Sequence, residues 1–114
     1  MATFSKVVFS GGTSGADILV AATATAGTLI HTAHVTALDE VWLFAQNNHT
    51  ADVVLTIEFG GVSSTKDLVT QTIPTKSGLV SVIPGIPLTG SLVVRAFAAT
   101  TNVISIAGYV NRIT

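Results

Sequence analysis

Residues Asp52–Phe59, with the sequence DVVLTIEF, decide the fold. The odd-numbered positions of this stretch are all apolar, whereas the even-numbered positions include Asp52 and Glu58. Because side chains alternate between the two faces of a strand, this period of two predicts a β-strand with one buried face. Gly60 and Gly61 follow directly, and glycines in this position are typical of the turn that ends a strand.

The same combination of β-branched or aromatic residues and short polar breaks recurs along the chain. It predicts nine strands, at Thr3–Ser10, Asp17–Ala22, Thr28–Val35, Glu40–Asn47, Asp52–Phe59, Asp67–Ile73, Leu79–Ile83, Ser91–Ala98 and Val103–Arg112. The breaks between them contain glycine, proline or asparagine, at 10–15, 47–50, 60–64, 74–78, 84–87 and 100–102. About eight or nine short strands with regular turns predict an all-β protein. We expect a single antiparallel β-sandwich domain over residues 1–114, jelly-roll-like, or a small barrel.

The scarcity of charge predicts association with other proteins. Only 10% of the 114 residues are charged and 48% are hydrophobic, whereas a soluble domain usually has about 25% charged residues. The apolar runs are too short for a membrane-spanning helix, which needs about 20 residues. Val41–Ala45 and Ser91–Ala98 are apolar on both strand faces, but a two-sheet sandwich buries only one of them. The other face needs a second subunit, so we expect an oligomer.

Charge distribution and cysteine content exclude several functions. The net charge is −1, and the five lysines and arginines are spread along the chain without a basic stripe, so neither nucleic acid nor an anionic membrane is predicted as a partner. The absence of cysteine excludes a disulfide framework and thiol chemistry, and it fits assembly in a cytosol. The first residues, Met1–Lys6, do not have the pattern of a secretory signal.

The histidines and carboxylates do not form a convincing metal or catalytic motif. His31 and His34 are three apart in a predicted strand and should face opposite ways, and His49 falls in a turn. We interpret all three as polar residues of edges or loops; a metal bound by one histidine per chain on a trimer axis is the alternative. Asp39 and Glu40 are neighbours, so they too should face opposite sides.

Other catalytic patterns are also missing. The loop at 10–15 is rich in glycine but lacks the lysine and the following helix of a phosphate-binding loop, and no Gly-x-Ser-x-Gly motif occurs. Glu58 can meet Arg95 or Lys66 in an ion pair, either across strands or across subunits. The sequence therefore predicts no catalytic residue, cofactor, metal or small-molecule substrate, and hence a protein that is not an enzyme.

Trp42 is the single tryptophan of the chain, flanked by Val41, Leu43 and Phe44. In this apolar setting it is typical of a core or interface anchor. The alternative is a sugar-stacking platform, with the neighbouring polar turn at 47–49 completing a carbohydrate site.

Two long stretches of the sequence resemble a known class of proteins. The first is residues 21–33 together with Leu38–Leu43, and the second is Pro84–Leu88 with Leu92–Ala98 and the end at Gly108–Ile113. Together they resemble small virion structural proteins of tailed bacteriophages, particularly of aquatic hosts, and most of all capsid decoration, or cement, proteins. The resemblance covers most of the chain, and its motifs are structural, so it brings no catalytic residue with it.

The resemblance implies a β-sandwich subunit that trimerises and binds the outer face of the major capsid protein shell, where it stabilises the head. The implied location is the exterior of the virion, after assembly in the host cytoplasm. A tail, neck, baseplate or head-fibre subunit is the structural alternative, and a carbohydrate-binding β-sandwich module is the alternative from another class.

The residues expected at subunit or partner interfaces lie near the chain ends or on strands that are apolar on both faces. Chain ends often order on docking, and aromatic and arginine side chains are enriched at interfaces. On this basis the sequence predicts interface roles for Phe4, Lys6, Trp42, Phe44, Arg95, Phe97 and Arg112. Thr3, Ile113 and the loop at 10–15 are further candidates for the same reason.

Overall fold

A computed structural model describes residues 2–63 and 65–114, and over those residues the chain forms nine β-strands and no helix. The strands are β1 (Phe4–Val8), β2 (Ile18–Leu19), β3 (Thr28–Thr32), β4 (Leu38–Asn47), β5 (Val53–Phe59), β6 (Leu68–Ile73), β7 (Val80–Leu88), β8 (Val93–Ala98) and β9 (Ile104–Ile113). Met1 and Ser64 lie outside the described residues. Of the predicted turn at 60–64, the structure therefore describes residues 60–63. The all-β prediction is confirmed.

The described residues contain no helix that is long and apolar enough to span a membrane.

The strands form two antiparallel sheets that face each other. Sheet A has the order β1-β9-β4-β7, with the short β2 also paired to β9, and sheet B has the order β3-β8-β5-β6. Apart from β2, the first long strand pairs with the last and each later strand pairs with its counterpart from the other end: β3 with β8, β4 with β7, and β5 with β6. This nested pairing is that of a jelly roll.

The hydrophobic core lies between the two sheets and follows the period of two that the sequence shows. In β4, Asp39, Val41, Leu43, Ala45 and Asn47 are buried, and the residues between them are half-buried on the opposite face. The largest fully buried apolar side chains come from both sheets: Ile30, Leu43, Leu55, Ile57, Ile73, Ile104 and Ile106. Burying an aliphatic side chain of this size contributes about 1.5–3 kcal/mol relative to leaving it exposed.

β7 is longer than predicted. It continues through Pro84 and Pro87, where the sequence predicted a break. β7 is the edge strand of sheet A and pairs only with β4, so a residue without an N–H is tolerated there. The ladder also shifts register twice, between Val41 and Trp42 and between Leu43 and Phe44. The predicted break was therefore wrong because edge position, not local sequence, decides whether proline ends a strand.

β2 is shorter than the predicted Asp17–Ala22, since the chain changes sheets within it. Val20 hydrogen-bonds with Ile104 and Asn102 beside sheet A, whereas the Ala22 carbonyl accepts from Ala98 of sheet B. A segment that crosses from one sheet to the other cannot continue a single ladder. The residues that follow, 23–27, leave the sheet edge before β3 begins.

Candidate functional site

A buried polar cluster joins the two sheets at one end of the sandwich. His31 on β3 and Asp39 on β4 are almost completely inaccessible to solvent, at 1% and 0% exposure. The His31 Nε2 atom lies 2.8 Å from Asp39 Oδ2. Arg112 on β9 donates to the same carboxylate from Nε at 2.7 Å and from Nη2 at 2.9 Å. The cluster therefore links β3 of sheet B to β4 and β9 of sheet A.

The hydrogen bonds around His31 assign its tautomer. The backbone N–H of Ser10 donates to Nδ1 at 3.1 Å, so Nδ1 is the acceptor and Nε2–H donates to Asp39. Ser10, His31 and Asp39 thus meet without forming a nucleophilic triad, because the Ser10 hydroxyl does not contact the ring. Ser10 Oγ instead accepts from the Thr32 backbone N–H. Nucleophile activation needs a hydroxyl bonded to the histidine base, and the Ser10 hydroxyl does not make that bond.

The charge state of Asp39 follows from its neighbours. Burial alone would raise the pKa of Asp39, but the hydrogen bonds from Arg112 and His31 outweigh it and lower the pKa to about 2. The side chain is therefore an anion at neutral pH, paired with the Arg112 guanidinium. Removing one partner of a buried pair leaves the other uncompensated, which makes the pair a determinant of stability.

The histidine interpretation is partly wrong. His31 is a core residue and not an edge or loop residue, because Asp39 and the Ser10 N–H satisfy both ring nitrogens inside the protein. His34 lies beyond the end of β3 and accepts the N–H groups of Thr36 and Ala37 at Nδ1. The predicted opposition of Asp39 and Glu40 across β4 is confirmed.

The outer face of sheet A carries a continuous set of apolar and aromatic side chains. The pairing of β1, β9 and β4 places Val8, Tyr109 and Trp42 directly opposite one another in one row. Phe4, Ile113 and Leu38 form another row on the same face. Phe4 is 66% exposed, and Val8, Leu19 and Leu38 are 44–51% exposed.

Trp42 and Tyr109 form the centre of this face. Their rings are nearly parallel, at 17° with 6.4 Å between centroids, and the Lys6 ammonium lies 5.2 Å from the centre of the Tyr109 ring. Trp42 Nε1 donates to Glu40 Oε1 at 2.8 Å. On its β7 side, Trp42 lies over Gly85, where a Cβ would come within 2.6 Å of the ring and φ is +79°. A glycine is therefore required under Trp42.

We call this surface the aromatic face and define it by the outward residues of β1, β4 and β9: Phe4, Lys6, Val8, Leu38, Glu40, Trp42, Phe44, Tyr109, Asn111 and Ile113. Among the described residues, none outside the strands of sheet A forms a hydrogen bond over this face. The face is flat, mostly apolar and half-buried at its aromatic rings, which is typical of a protein-binding or ring-stacking surface.

The outer face of sheet B is different because the chain covers part of it. Glu58 on β5 points outward but is only 1% exposed. Its carboxylate accepts from the Thr25 hydroxyl and from the Gly27 N–H, each at 2.7 Å. Since β8 lies between β3 and β5, the segment 23–27 crosses β8 to reach Glu58. A Cβ on Gly27 would lie 2.6 Å from the Ala96 backbone, so glycine permits this close crossing.

A shallow cleft of about 190 Å³ adjoins the covered part of sheet B. It is lined by Glu58, Gly60, Gly61, Val62, Ser91, Leu92, Val93 and Arg95. Arg95 lies directly opposite Glu58 in the ladder. Among the described residues, however, neither Arg95 nor Lys66 pairs with Glu58, and Lys66 pairs with Asp67 at 2.7 Å. The predicted Glu58 ion pair is therefore not present within the described residues of one chain, and a pair across subunits stays a prediction.

The seven residues predicted at interfaces fall into three places. Phe4, Lys6, Trp42 and Phe44 come together on the aromatic face, although they are up to 40 positions apart in sequence. Arg95 and Phe97 lie on the outer face of sheet B. Arg112 turns inward to Asp39.

Sequence reasoning missed Val8, Glu40 and Tyr109 as members of the aromatic face. The alternation within each strand identifies their side of the sheet, but only the pairing of β1 with β9 and of β9 with β4 brings them into one surface. Of the predicted carbohydrate site at Trp42 and the turn at 47–49, Asn47 does not share the outer face with Trp42. Asn47 faces inward and bonds to Ala51 and Ile73.

The described residues contain no group of three or more histidine, cysteine, aspartate or glutamate side chains that could hold a metal ion.

Comparisons of the chain with protein-family models, with curated proteins and with solved structures found no match.

Proposed function

We propose that this protein is a non-enzymatic virion structural protein, a capsid decoration protein that trimerises and binds the outer face of the major capsid protein shell. The observation that carries the proposal is the aromatic face, an apolar surface of sheet A that no other described segment of the chain covers. The resemblance of the sequence to phage decoration proteins names the setting in which such a surface is covered by protein.

The free energy of burying apolar surface supports a structural role of this kind. Each 100 Å² of apolar surface removed from water contributes about 2.5 kcal/mol before the costs of association. A decoration protein present in many copies strengthens a shell by adding such contacts at its joints, so no single contact has to be tight. A low-charge sandwich with one uncovered apolar face suits that task, and it needs no catalytic group.

The experiment is co-expression with the major capsid protein encoded by the same genome, followed by sedimentation of the shells. We expect the protein to sediment with expanded shells and to raise the temperature at which they rupture. A protein that stays in the supernatant at every concentration and leaves shell rupture unchanged is not a decoration protein.

One observation favours a second function, a carbohydrate-binding module. The nearly parallel rings of Trp42 and Tyr109 provide a flat platform on which a sugar ring can stack, and Glu40 and Asn111 beside them can hydrogen-bond hydroxyl groups. A glycan array tests this directly. Saturable binding that is lost on Tyr109→Ala, without loss of folding, would move the assignment to this class.

A further inference from the structure

The aromatic face carries one row of opposite charges. Lys6 on β1, Asn111 on β9 and Glu40 on β4 lie directly opposite one another in the ladders. Neighbouring strands are about 4.8 Å apart, so the Lys6 and Glu40 backbones are separated by roughly 10 Å, two strand spacings. Among the described residues neither side chain has an ion-pair partner.

Contacts within the chain hold both side chains in place. The Lys6 ammonium lies over the Tyr109 ring, and Glu40 accepts the Trp42 indole N–H through Oε1 only. The second carboxylate oxygen of Glu40 has no bonding partner among the described residues. The two charges are therefore ordered, opposite in sign and located toward the two lateral sides of one apolar surface.

Opposite charges on the two sides of one surface suit self-association into a closed ring of subunits. In a head-to-tail contact, one side of a surface meets the other side of the same surface on the next copy. Since Lys6 is near the β1 side and Glu40 near the β7 side, such a contact brings opposite charges together. The rows beside them are apolar, with Phe4, Ile113 and Leu38 on one side and the Trp42 row on the other.

We propose that further copies of this chain cover the aromatic face, packed around a three-fold axis parallel to β9, with Lys6 of each copy facing Glu40 of the next. This inference rests on the trimer in the proposed function and adds the surface and the ion pair that build it. It leaves the contact with the shell to other surfaces of the subunit. Shell binding and trimer geometry can therefore fail independently.

The test is light scattering after size exclusion, over a dilution series, on the full chain and four variants. Wild type should have a mass near three times 11.7 kDa. Lys6→Glu and Glu40→Lys each place like charges at every contact, and we expect the midpoint of dissociation to move to at least about tenfold higher concentration. The double variant restores opposite charges and should return within about threefold of wild type.

Lys76→Glu is the matched control. Lys76 lies in an exposed turn between β6 and β7, and its reversal changes the net charge by the same amount as Lys6→Glu. We expect it to leave the dissociation midpoint unchanged. Thermal unfolding of each variant, followed by circular dichroism, separates loss of folding from loss of association. Recovery in the double variant also shows that neither single variant failed by misfolding.

Mixing the two single variants tests the three-fold axis. In a ring of three, the two variants cannot alternate, so at least one contact keeps like charges and rescue is incomplete. A two-fold pair would be rescued fully by mixing, and full rescue therefore overturns the three-fold arrangement. A wild-type monomer at all concentrations, a trimer indifferent to both single reversals, or a double variant that fails to recover would each overturn the proposal. If the protein sediments with shells, shell binding stands after any of these results. A wild-type monomer or a two-fold pair would, however, also remove the trimer from the proposed function.

Discussion

The two outer faces of this sandwich differ in whether a segment of the chain itself covers them. On sheet B the chain sends residues 23–27 across β8, and a buried carboxylate, Glu58, holds that segment with two hydrogen bonds. On sheet A no other described segment covers the aromatic face in this way, and its most exposed aromatic side chain, Phe4, is 66% exposed. Each face includes a strand that is apolar on both sides, β4 in sheet A and β8 in sheet B, so strand composition alone does not separate the two faces.

Under the proposed function, this difference divides the apolar surface of the protein between folding and assembly. A segment that covers its own sheet loses backbone freedom once, on folding, and needs polar groups to satisfy its ends. A face left open gains its burial only when a partner arrives. Four predictions test this division, beginning with a substitution that should affect both faces equally.

The largest effect is expected from Asp39, which joins the two sheets below both faces. Asp39→Ala leaves the Arg112 guanidinium and the His31 N–H without their partner, and we expect a loss of about 3–5 kcal/mol in the free energy of unfolding. Urea unfolding measures it. Arg112→Met, which removes the opposite charge, should be destabilising to a similar degree. A loss below about 1 kcal/mol for both would mean that the cluster does not join the sheets.

The next largest effect is expected from substitution of Glu58. It tests whether the segment 23–27 that covers sheet B depends on this one side chain. Glu58→Ala leaves the Thr25 hydroxyl and the Gly27 N–H unpartnered, and hydrogen bonds to a charged group contribute about 1.5–3 kcal/mol each. Because water enters the space left by the carboxylate and replaces part of both bonds, we expect a net loss of about 2–3 kcal/mol in the free energy of unfolding. The amides of residues 23–27 should also exchange their hydrogens faster.

Glu40→Ala is the control for Glu58→Ala, since it removes a carboxylate from the open face. It breaks one hydrogen bond to Trp42. At protein concentrations where the chain is monomeric, the loss in the free energy of unfolding should therefore stay below about 1 kcal/mol. Equal losses for the two glutamates would contradict the idea that only sheet B is covered by its own chain.

Acid should lower the free energy of unfolding by protonating Asp39. Because Asp39 lies between the two sheets, this loss should not distinguish the two outer faces. The pKa of Asp39 is lowered to about 2 in the folded protein from 3.8, so its contribution to stability is present above about pH 4 and is lost as the pH falls toward 2. The linkage amounts to roughly 2 kcal/mol. Urea unfolding at pH 5 and pH 2 should show this loss in wild type, and Asp39→Asn should lack it.

Asp67→Asn is the control for the acid experiment. Asp67 is a carboxylate on the surface whose pKa is also lowered, by hydrogen bonds from Lys66 and Ser63. Because water screens it, its removal should leave most of the acid dependence in place. An acid dependence that disappears in this variant would locate the effect outside the buried cluster.

The smallest effect on the isolated chain is expected for aromatic truncation, and it separates the two faces most clearly. Trp42→Ala and Phe97→Ala each remove a half-buried ring, and each should cost about 1–2 kcal/mol of unfolding free energy in the monomer. Only Trp42→Ala should also weaken self-association, measured by light scattering. If Phe97→Ala weakens it equally, the outer face of sheet B is part of the interface.

Much of the fold is predictable from local patterns. The alternation in Asp52–Phe59 correctly identifies a strand and its buried side, because the period of a strand is visible in adjacent residues. Glu40–Asn47 is also correctly predicted as a strand. Pro84 and Pro87 were misleading, since whether a strand lies at an edge depends on partners distant in sequence. For the same reason, the burial of His31 could not be predicted: its partner Asp39 belongs to the other sheet.

The sequence by itself therefore determined an all-β sandwich with too few charges and too many apolar strand faces for its own core to bury. Only the tertiary structure decided which of those faces stays open, because closure depends on pairs such as Glu58 with Gly27, 31 positions apart. It also decided that Phe4, Trp42 and Tyr109 share one surface. Strand order is set by the global packing of the chain, and residues far apart in sequence become neighbours only through it.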